Sequence, residues 1–279
     1  MWTGGGSWGI AGNIPAALRD VERALKLQPG FPKAMLLRAS LLGKAGRYDP
    51  ALADLNTLLK AHPDNPEVLI QMAAVYQASR QFHKALSAYD QLLKSDPKNA
   101  AAYQGRATSY LGLGKPLEAI ANYDAALKIE PQNSDLLNNR AWVLATSPDS
   151  NVRDGNRAVE LAKLACARTA YLRAEFISTL AAAYAEAGDF QSAISWSQRA
   201  VEICAERLRE QMMRQIETFQ SRKPWREALP PVANPDRNAP PPERLRDPRA
   251  QNLDVTHLSR VARPLAVWHL DQQLPLSRR

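Results

Sequence analysis

An all-α solenoid of antiparallel helix pairs is the fold class that this sequence predicts, and three observations support it. Prolines recur every 34 residues and end the similar phrases LKLQP, LKAHP, LKSDP and LKIEP, at Pro29, Pro63, Pro97 and Pro131. Small and large apolar residues repeat in the same register. Hydrophobic residues make up 45% of the chain, and Ala and Leu, which favour helices, supply most of them. A period of this length is typical of stacked helix-turn-helix units.

The apolar register predicts how the helices of each unit pack. The second helix carries an alanine and, four positions later, a larger residue, at Ala51 and Leu55, Ala85 and Tyr89, and Ala119 and Tyr123. Residues four apart lie on one face of a helix. We therefore expect the alanine to allow close approach of the two helices and the larger residue to fill the space between units.

The turn inside each unit has a second repeated feature. Gly46 and Gly114 occupy it in two units, and Arg80 takes the same place in the middle one. Helices often end on a residue in the left-handed conformation, which glycine adopts without a steric penalty. We therefore expect some backbone strain at Arg80.

The period also gives the organisation of the chain. It predicts a Gly-rich irregular N-terminus (1–13), a repeat array (14–205), a capping helix (206–222) and a Pro/Arg-rich, largely disordered tail (223–279). The array should form a right-handed superhelix of about five and a half repeats. Its units are a half unit and five full ones, at 14–31, 32–65, 66–99, 100–133, 134–170 and 171–205.

The fourth full unit has a longer, polar connection between its two helices. Asp154 directly precedes the predicted second helix, where a side-chain oxygen can accept hydrogen bonds from free N–H groups. We expect Arg153 to pair with a neighbouring acidic residue. A structural connection is favoured for this loop over a binding role.

The charges are concentrated in the tail. The net charge is +8, and residues 222 to 279 hold eleven Lys or Arg against six Asp or Glu. A basic segment favours phosphate contact, but only Trp225 and Trp268 are aromatic there and prolines interrupt it. Nucleic acid is therefore not expected as a partner.

No catalytic, metal-binding or cofactor-binding motif occurs in the sequence. HExxH, GxSxG, GxxxxGKS and GxGxxG are all absent, and the four histidines form no metal pair. Cys166 and Cys204 are interpreted as packing residues, with a disulfide or a redox role as the alternative. The sequence predicts a protein that is not an enzyme and has no cofactor.

The repeated residues over 32–133 resemble the tetratricopeptide repeat family in three consecutive units. The family's tryptophan at the fourth position is replaced by Met35, Leu69 and Tyr103. Residues 139–165 and 179–190 are similar to a variant pair of repeats that is common in bacterial members, which suggests a bacterial source.

This resemblance implies a scaffold that binds a protein or peptide in a concave groove lined by the first helix of each unit. Some family members clamp a terminal carboxylate with lysines, but Leu36 and Ile70 stand at those positions, so we expect no such clamp. Trp142 would supply an apolar anchor in a neutral, amide-rich groove. The groove residues carried over from the family are Leu36, Ser40, Ile70, Gln77, Gln104, Thr108, Asn138, Trp142 and Ser178.

Two other functions stay open at this point. The protein could be a structural one that self-associates through its N-terminal unit, or an accessory subunit or fragment of a larger enzyme. No apolar stretch is long enough to span a membrane, and the start of the sequence lacks the features of a signal peptide. A cytoplasmic location is expected, or a periplasmic one if the true N-terminus is missing.

Overall fold

The computed structural model describes residues 14–227, which form twelve helices and no strand. The first helix expected for the half unit, in 1–13, and the tail beyond residue 227 lie outside the described residues. The helices are α1 (Ile14–Leu27), α2 (Pro32–Lys44), α3 (Tyr48–Ala61), α4 (Pro66–Ala78), α5 (Phe82–Ser95), α6 (Ala100–Gly112), α7 (Pro116–Ile129), α8 (Ser134–Thr146), α9 (Gly155–Arg168), α10 (Ala174–Glu186), α11 (Phe190–Ile203) and α12 (Glu206–Gln220).

The helices pack as successive pairs, as the period predicts. The pairs are α2 with α3, α4 with α5, α6 with α7, α8 with α9, and α10 with α11. Each second helix also contacts the first helix of the next pair, so the units form one continuous stack. α1 packs on α2 as the second helix of a half unit, and α12 packs on α11 at the other end.

Buried alanines let these helices approach one another. Ala51, Ala85 and Ala119 have no exposed surface. The larger residues four positions later, Leu55, Tyr89 and Tyr123, are also buried, at 0%, 4% and 2% exposed. Leu208, Met212, Ile216 and Phe219 of α12 are buried as well, so this helix covers the apolar end of the stack as a capping helix does.

Asparagines start three of the first helices. The Oδ1 atoms of Asn65, Asn99 and Asn133 accept hydrogen bonds of 2.9–3.2 Å from backbone N–H groups in the first turns of α4, α6 and α8. A free N–H at a helix start needs such an acceptor. The asparagines lie 34 residues apart, in the register of the prolines.

The turns between paired helices take the left-handed conformation. Gly46 and Gly114 have φ values of 74° and 71°, and Arg80 has a φ of 61°. The strain expected at Arg80 is therefore confirmed, since a residue with a Cβ atom is disfavoured in this region by about 1–2 kcal/mol.

The long connection of the fourth full unit is fastened to its neighbours. Asp154 accepts a hydrogen bond of 2.9 Å from the N–H of Arg157 and so caps α9, as predicted. The Arg153 Nε lies 2.9 Å from Oε1 of Glu186, the last residue of α10, which confirms the expected ion pair. Arg153 also donates to the carbonyl groups of Ser147 and Pro148, both at 3.0 Å.

Gly155, the first residue of α9, has no room for a side chain. A Cβ there would lie 2.5 Å from the backbone N of Ala187 and 2.7 Å from the backbone C of Glu186. Because these are backbone atoms, α9 and the end of α10 would have to move apart. We expect Gly155→Ala to lower the free energy of unfolding by about 1–3 kcal/mol, measured by urea denaturation.

Gly43→Ala is the matched control. Gly43 lies in α2. The only atom within 4 Å of a Cβ placed there would be Cγ2 of Val75, at 3.3 Å, which belongs to a side chain. Alanine is the better helix former, so this variant should change stability by no more than about 1 kcal/mol. Equal destabilisation by the two variants would contradict the steric explanation.

Candidate functional site

The first helices of the units form the inner surface of the stack. α2 contacts α4, α4 contacts α6, α8 contacts α10, and α10 contacts α12. Within residues 14–227, no contact of similar extent joins the successive second helices α3, α5, α7, α9 and α11. Helices that lie closer together are on the inside of a curved stack, so the even-numbered helices line the concave surface.

The N-terminal part of this surface carries partly exposed apolar and polar side chains. Leu36, Ser40 and Ile70 lie on α2 and α4 and are all partly exposed. Leu36 and Ile70 pack against the edge of the buried core. The Ser40 hydroxyl makes no hydrogen bond to any other residue in the described part of the chain. These side chains offer apolar contact area together with one free polar group.

α6 continues this surface with two further partly exposed polar residues. The Thr108 hydroxyl donates to the Gln104 carbonyl at 3.1 Å, so it is used within its own helix. The side-chain amide of Gln104 has no hydrogen-bond partner among residues 14–227. It is therefore available to a ligand, as is the Ser40 hydroxyl.

Gln77, by contrast, is buried between α4 and α6. Its Nε2 donates to the carbonyl of Gly105 at 2.7 Å and to the Ser109 hydroxyl at 2.9 Å. Its Oε1 accepts from the Tyr89 hydroxyl at 3.1 Å, and burial raises the pKa of Tyr89. Gln77 thus joins two units, and the structure does not place it on the open surface.

Asn138 and Ser178, from α8 and α10, are also buried, at 4% and 5% exposed. The Ser178 hydroxyl donates to Oε1 of Gln215, on the capping helix, at 2.7 Å. The Asn138 Nδ2 lies 3.5 Å from Oδ1 of Asn139. Because both side chains are buried, neither is accessible to a partner in this conformation.

Trp142 is partly exposed and contacts residues that follow the capping helix. Its indole Nε1 donates to Oε2 of Glu227 at 3.0 Å, and the Glu227 N–H donates to the carbonyl of Thr146 at 2.9 Å. Residues 223–227, which the sequence assigns to the start of the tail, therefore include a contact with α8.

Glu186 forms a second contact with the same segment. Its Oε2 lies 2.6 Å from the Arg226 guanidinium, while its Oε1 faces Arg153. Only 13% of the Glu186 side chain is exposed, so this carboxylate is held between two cations in a poorly solvated place.

Four residues of this surface are not among those predicted from the sequence: Glu186, Gln215, Arg226 and Glu227. Arg226 and Glu227 follow Pro224 and the end of the capping helix, and this adjacency was the only local signal. The hydrogen bond from Trp142 to Glu227 joins residues 85 positions apart and lies outside the repeat register.

Family comparisons identify the repeated units. A family model described as the N-terminal TPR repeats region of Psidin matches residues 11–111, and one described as tetratricopeptide repeat matches residues 105–150. The chain is a tetratricopeptide repeat protein. No curated protein matches it in sequence.

Solved structures with a similar fold are also tetratricopeptide-type arrays. A thermophilic TPR protein of Thermus thermophilus is 21% identical with a TM-score of 0.55, over 68% of this chain and 99% of that one. Yeast Tom70 is 17% identical with a TM-score of 0.60, and the match covers 73% of this chain and 43% of that one. A chain of the APC/C hetero-tetramer Cut9–Hcn1 is 16% identical with a TM-score of 0.56. The match covers 75% of this chain and 40% of that one. At these identities the likeness concerns the fold alone.

Tetratricopeptide repeat proteins are typically scaffolds without enzymatic activity. Residues 14–227 contain no group of three or more His, Cys, Asp or Glu that could hold a metal ion. Both cysteines are free, and burial raises the pKa of Cys166 to about 12. No helix in the described range is long and apolar enough to cross a membrane.

The contact of Glu227 with α8 should depend on pH. Burial, partly offset by the hydrogen bond from Trp142, raises the pKa of the Glu227 carboxyl above its ordinary value of 4.5. A raised pKa means that the docked state favours the protonated carboxyl group. Its stabilising contribution is complete when the pH is below the ordinary pKa, and it is lost as the pH rises through the raised pKa. We expect the Glu227 amide, corrected for intrinsic exchange, to be better protected from hydrogen exchange near pH 5 than near pH 7.5.

Glu227→Gln is the control for this measurement, because glutamine keeps the shape of the side chain but does not titrate. In this variant, the protection of the amide of residue 227 from hydrogen exchange should be the same at both pH values. An unchanged pH dependence in this variant would assign the effect to another group.

Proposed function

We propose that this tetratricopeptide repeat protein is a non-enzymatic scaffold that binds an extended protein segment along the concave surface of α2, α4 and α6. The observation that supports the proposal is the combination of partly exposed apolar and unpartnered polar side chains on these helices. Leu36 and Ile70 supply the apolar area, and Ser40 and Gln104 supply free hydrogen-bonding groups.

The chemistry of this surface defines the partner that would fit it. An extended segment carries free backbone N–H and C=O groups, which the Gln104 amide can pair as both donor and acceptor. Its apolar side chains would cover Leu36 and Ile70. Because Leu36, Ile70, Ser40 and Gln104 are uncharged, contacts made through these four side chains should depend only weakly on salt.

The position of the proposed site differs from the centre that the sequence favours. The sequence centres the groove on Gln104, Asn138 and Trp142. On α8 and α10, Asn138 and Ser178 are buried and the partly exposed Trp142 bonds to Glu227. We therefore propose the site towards the N-terminal half of the array, with Thr108 at its border.

Site-specific photo-crosslinking in cells tests this proposal. A photoreactive amino acid is placed at Ser40 or Ile70 on the concave side, and at Thr57 or Ser87 on the exposed faces of the second helices α3 and α5. We expect protein adducts from the two concave positions and at least about fivefold fewer from the two outer ones.

A charged substitution provides the internal check. Leu36→Glu should remove the adduct formed from Ile70, because it places a charge in the apolar part of the site. Thr57→Glu, an equally large change on the outer side, should leave that adduct unchanged. Adducts that form equally from both sides of the stack would contradict the proposal.

Self-association through the N-terminal unit is the alternative that the same method addresses. Leu27 and Phe31 are exposed apolar side chains at the turn after α1, at 83% and 38%. A crosslinker at Leu27 would then give an adduct of twice the mass of the chain. A cytoplasmic location, a bacterial source, and the reading as an accessory subunit or fragment of a larger enzyme stay predictions from the sequence.

A further inference from the structure

The chain reverses direction after the capping helix. The N–H groups of Arg222 and Lys223 donate to the carbonyls of Phe219 and Thr218 at 2.9 and 3.1 Å, and Arg222 takes a left-handed φ of 54°. This hydrogen-bond pattern is a common helix terminator, usually built on glycine. Pro224 follows and prevents the helix from continuing. After this turn, residues 224–227 run back over the first helices α8 and α10. We call these four residues the docked segment.

The surface that receives the docked segment favours a cation. Thr146 and Glu186 are the last residues of α8 and α10, so the negative ends of two helix dipoles lie there. The Glu186 carboxylate adds a full negative charge. Arg226 lies 2.6 Å from this carboxylate and 3.5 Å from the carbonyl of Ala145.

The same surface also receives an acid and a backbone amide. The indole N–H of Trp142 is a neutral donor, and Oε2 of the Glu227 carboxyl group accepts from it at 3.0 Å. The carbonyl of Thr146 at the end of α8 has no acceptor role within the helix, and the N–H of Glu227 bonds to it at 2.9 Å. The docked segment thus binds as a short peptide would, through one backbone group and two side chains.

We propose that the docked segment is an internal ligand of the α8–α10 surface, and that a partner segment with a basic side chain followed by an acidic one binds there when the docked segment leaves. This inference rests on the proposed scaffold function but concerns a different part of the concave surface. It defines the ligand chemistry: a guanidinium or ammonium group beside Glu186, a carboxyl group beside Trp142, and a backbone N–H on Thr146.

The docked segment can be released because its contacts are few and partly solvated. Trp225, Arg226 and Glu227 all remain partly exposed. The described contacts must offset the conformational entropy of the ordered residues. A tethered segment nevertheless acts at an effective concentration on the order of millimolar, so it competes well with a free peptide.

The test uses the full chain and a dye-labelled peptide, RKPWRE, which copies residues 222–227 and is blocked at both ends. Binding is followed by fluorescence anisotropy. In the double variant Arg226→Ala, Glu227→Ala the internal competitor is weakened, so we expect the peptide to bind at least about tenfold more tightly than to the wild type. A peptide in which Arg and Glu of the last two positions are replaced by Ala should bind neither protein.

The matched control is Glu210→Ala, Arg214→Ala, which removes an ion pair of the same residue types, separated by 3.1 Å, from the exposed side of α12. It should bind the peptide as the wild type does. Trp142→Phe, placed in the Arg226→Ala, Glu227→Ala background, keeps the aromatic ring but removes the donor to the carboxylate, so it should weaken peptide binding severalfold. Thermal melting followed by circular dichroism verifies that each variant is folded.

The proposal would be overturned if the peptide bound the wild type and the Arg226→Ala, Glu227→Ala variant with equal affinity. It would also be overturned if Trp142→Phe did not change the affinity for the peptide. The outcome is separate from the crosslinking at Ser40 and Ile70. Tighter peptide binding by the double variant without crosslinks at Ser40 and Ile70 would support the internal ligand and contradict the proposed site on α2, α4 and α6. Crosslinks without a gain in peptide affinity would support that site and contradict the internal ligand.

Discussion

The close approach of helices at fully buried alanines is the contact on which the whole array depends. Ala51, Ala85 and Ala119 have no exposed surface, and each lies in a second helix that packs against two first helices. A larger side chain at any of these positions would separate the helices and remove the van der Waals contacts around it. Because each unit is placed by the one before it, an error in one contact would change the position of every later first helix, and with it the concave surface.

The sequence was sufficient for the fold because the determinants of each unit are local and repeated. Alanine and the larger residue four positions on share one helical face, and prolines and glycines mark the ends of the helices. The asparagine caps at Asn65, Asn99 and Asn133 were overlooked, although they repeat in the same register. For the long connection, Asp154 and Arg153 could be assigned correctly, since an acidic residue before a helix and a nearby opposite charge are strong local signals.

The binding surface was less predictable, because exposure of a first-helix residue depends on the neighbouring unit. Gly105 shows this: a Cβ there would lie 2.2 Å from Cζ of Tyr89, so only glycine leaves room for the tyrosine ring. That ring brings its hydroxyl to Gln77, which closes a buried network instead of facing a ligand. Likewise, Ser178 is covered by Gln215 of the capping helix. Family positions alone do not include these contacts between units, nor the long-range contact of Trp142 with Glu227.

Glu186 links two parts of the chain that are otherwise far apart in sequence. One oxygen of its carboxylate faces Arg153, which holds the connection between α8 and α9, and the other faces Arg226. The two guanidinium groups share one negative charge and repel each other. Departure of Arg226 would leave that charge to Arg153 alone and tighten its hold on the connection. By thermodynamic reciprocity, loosening this connection would strengthen the attraction for a cation on the concave side. We therefore expect the loop between α8 and α9 and the contact of Arg226 to be negatively coupled through this one carboxylate.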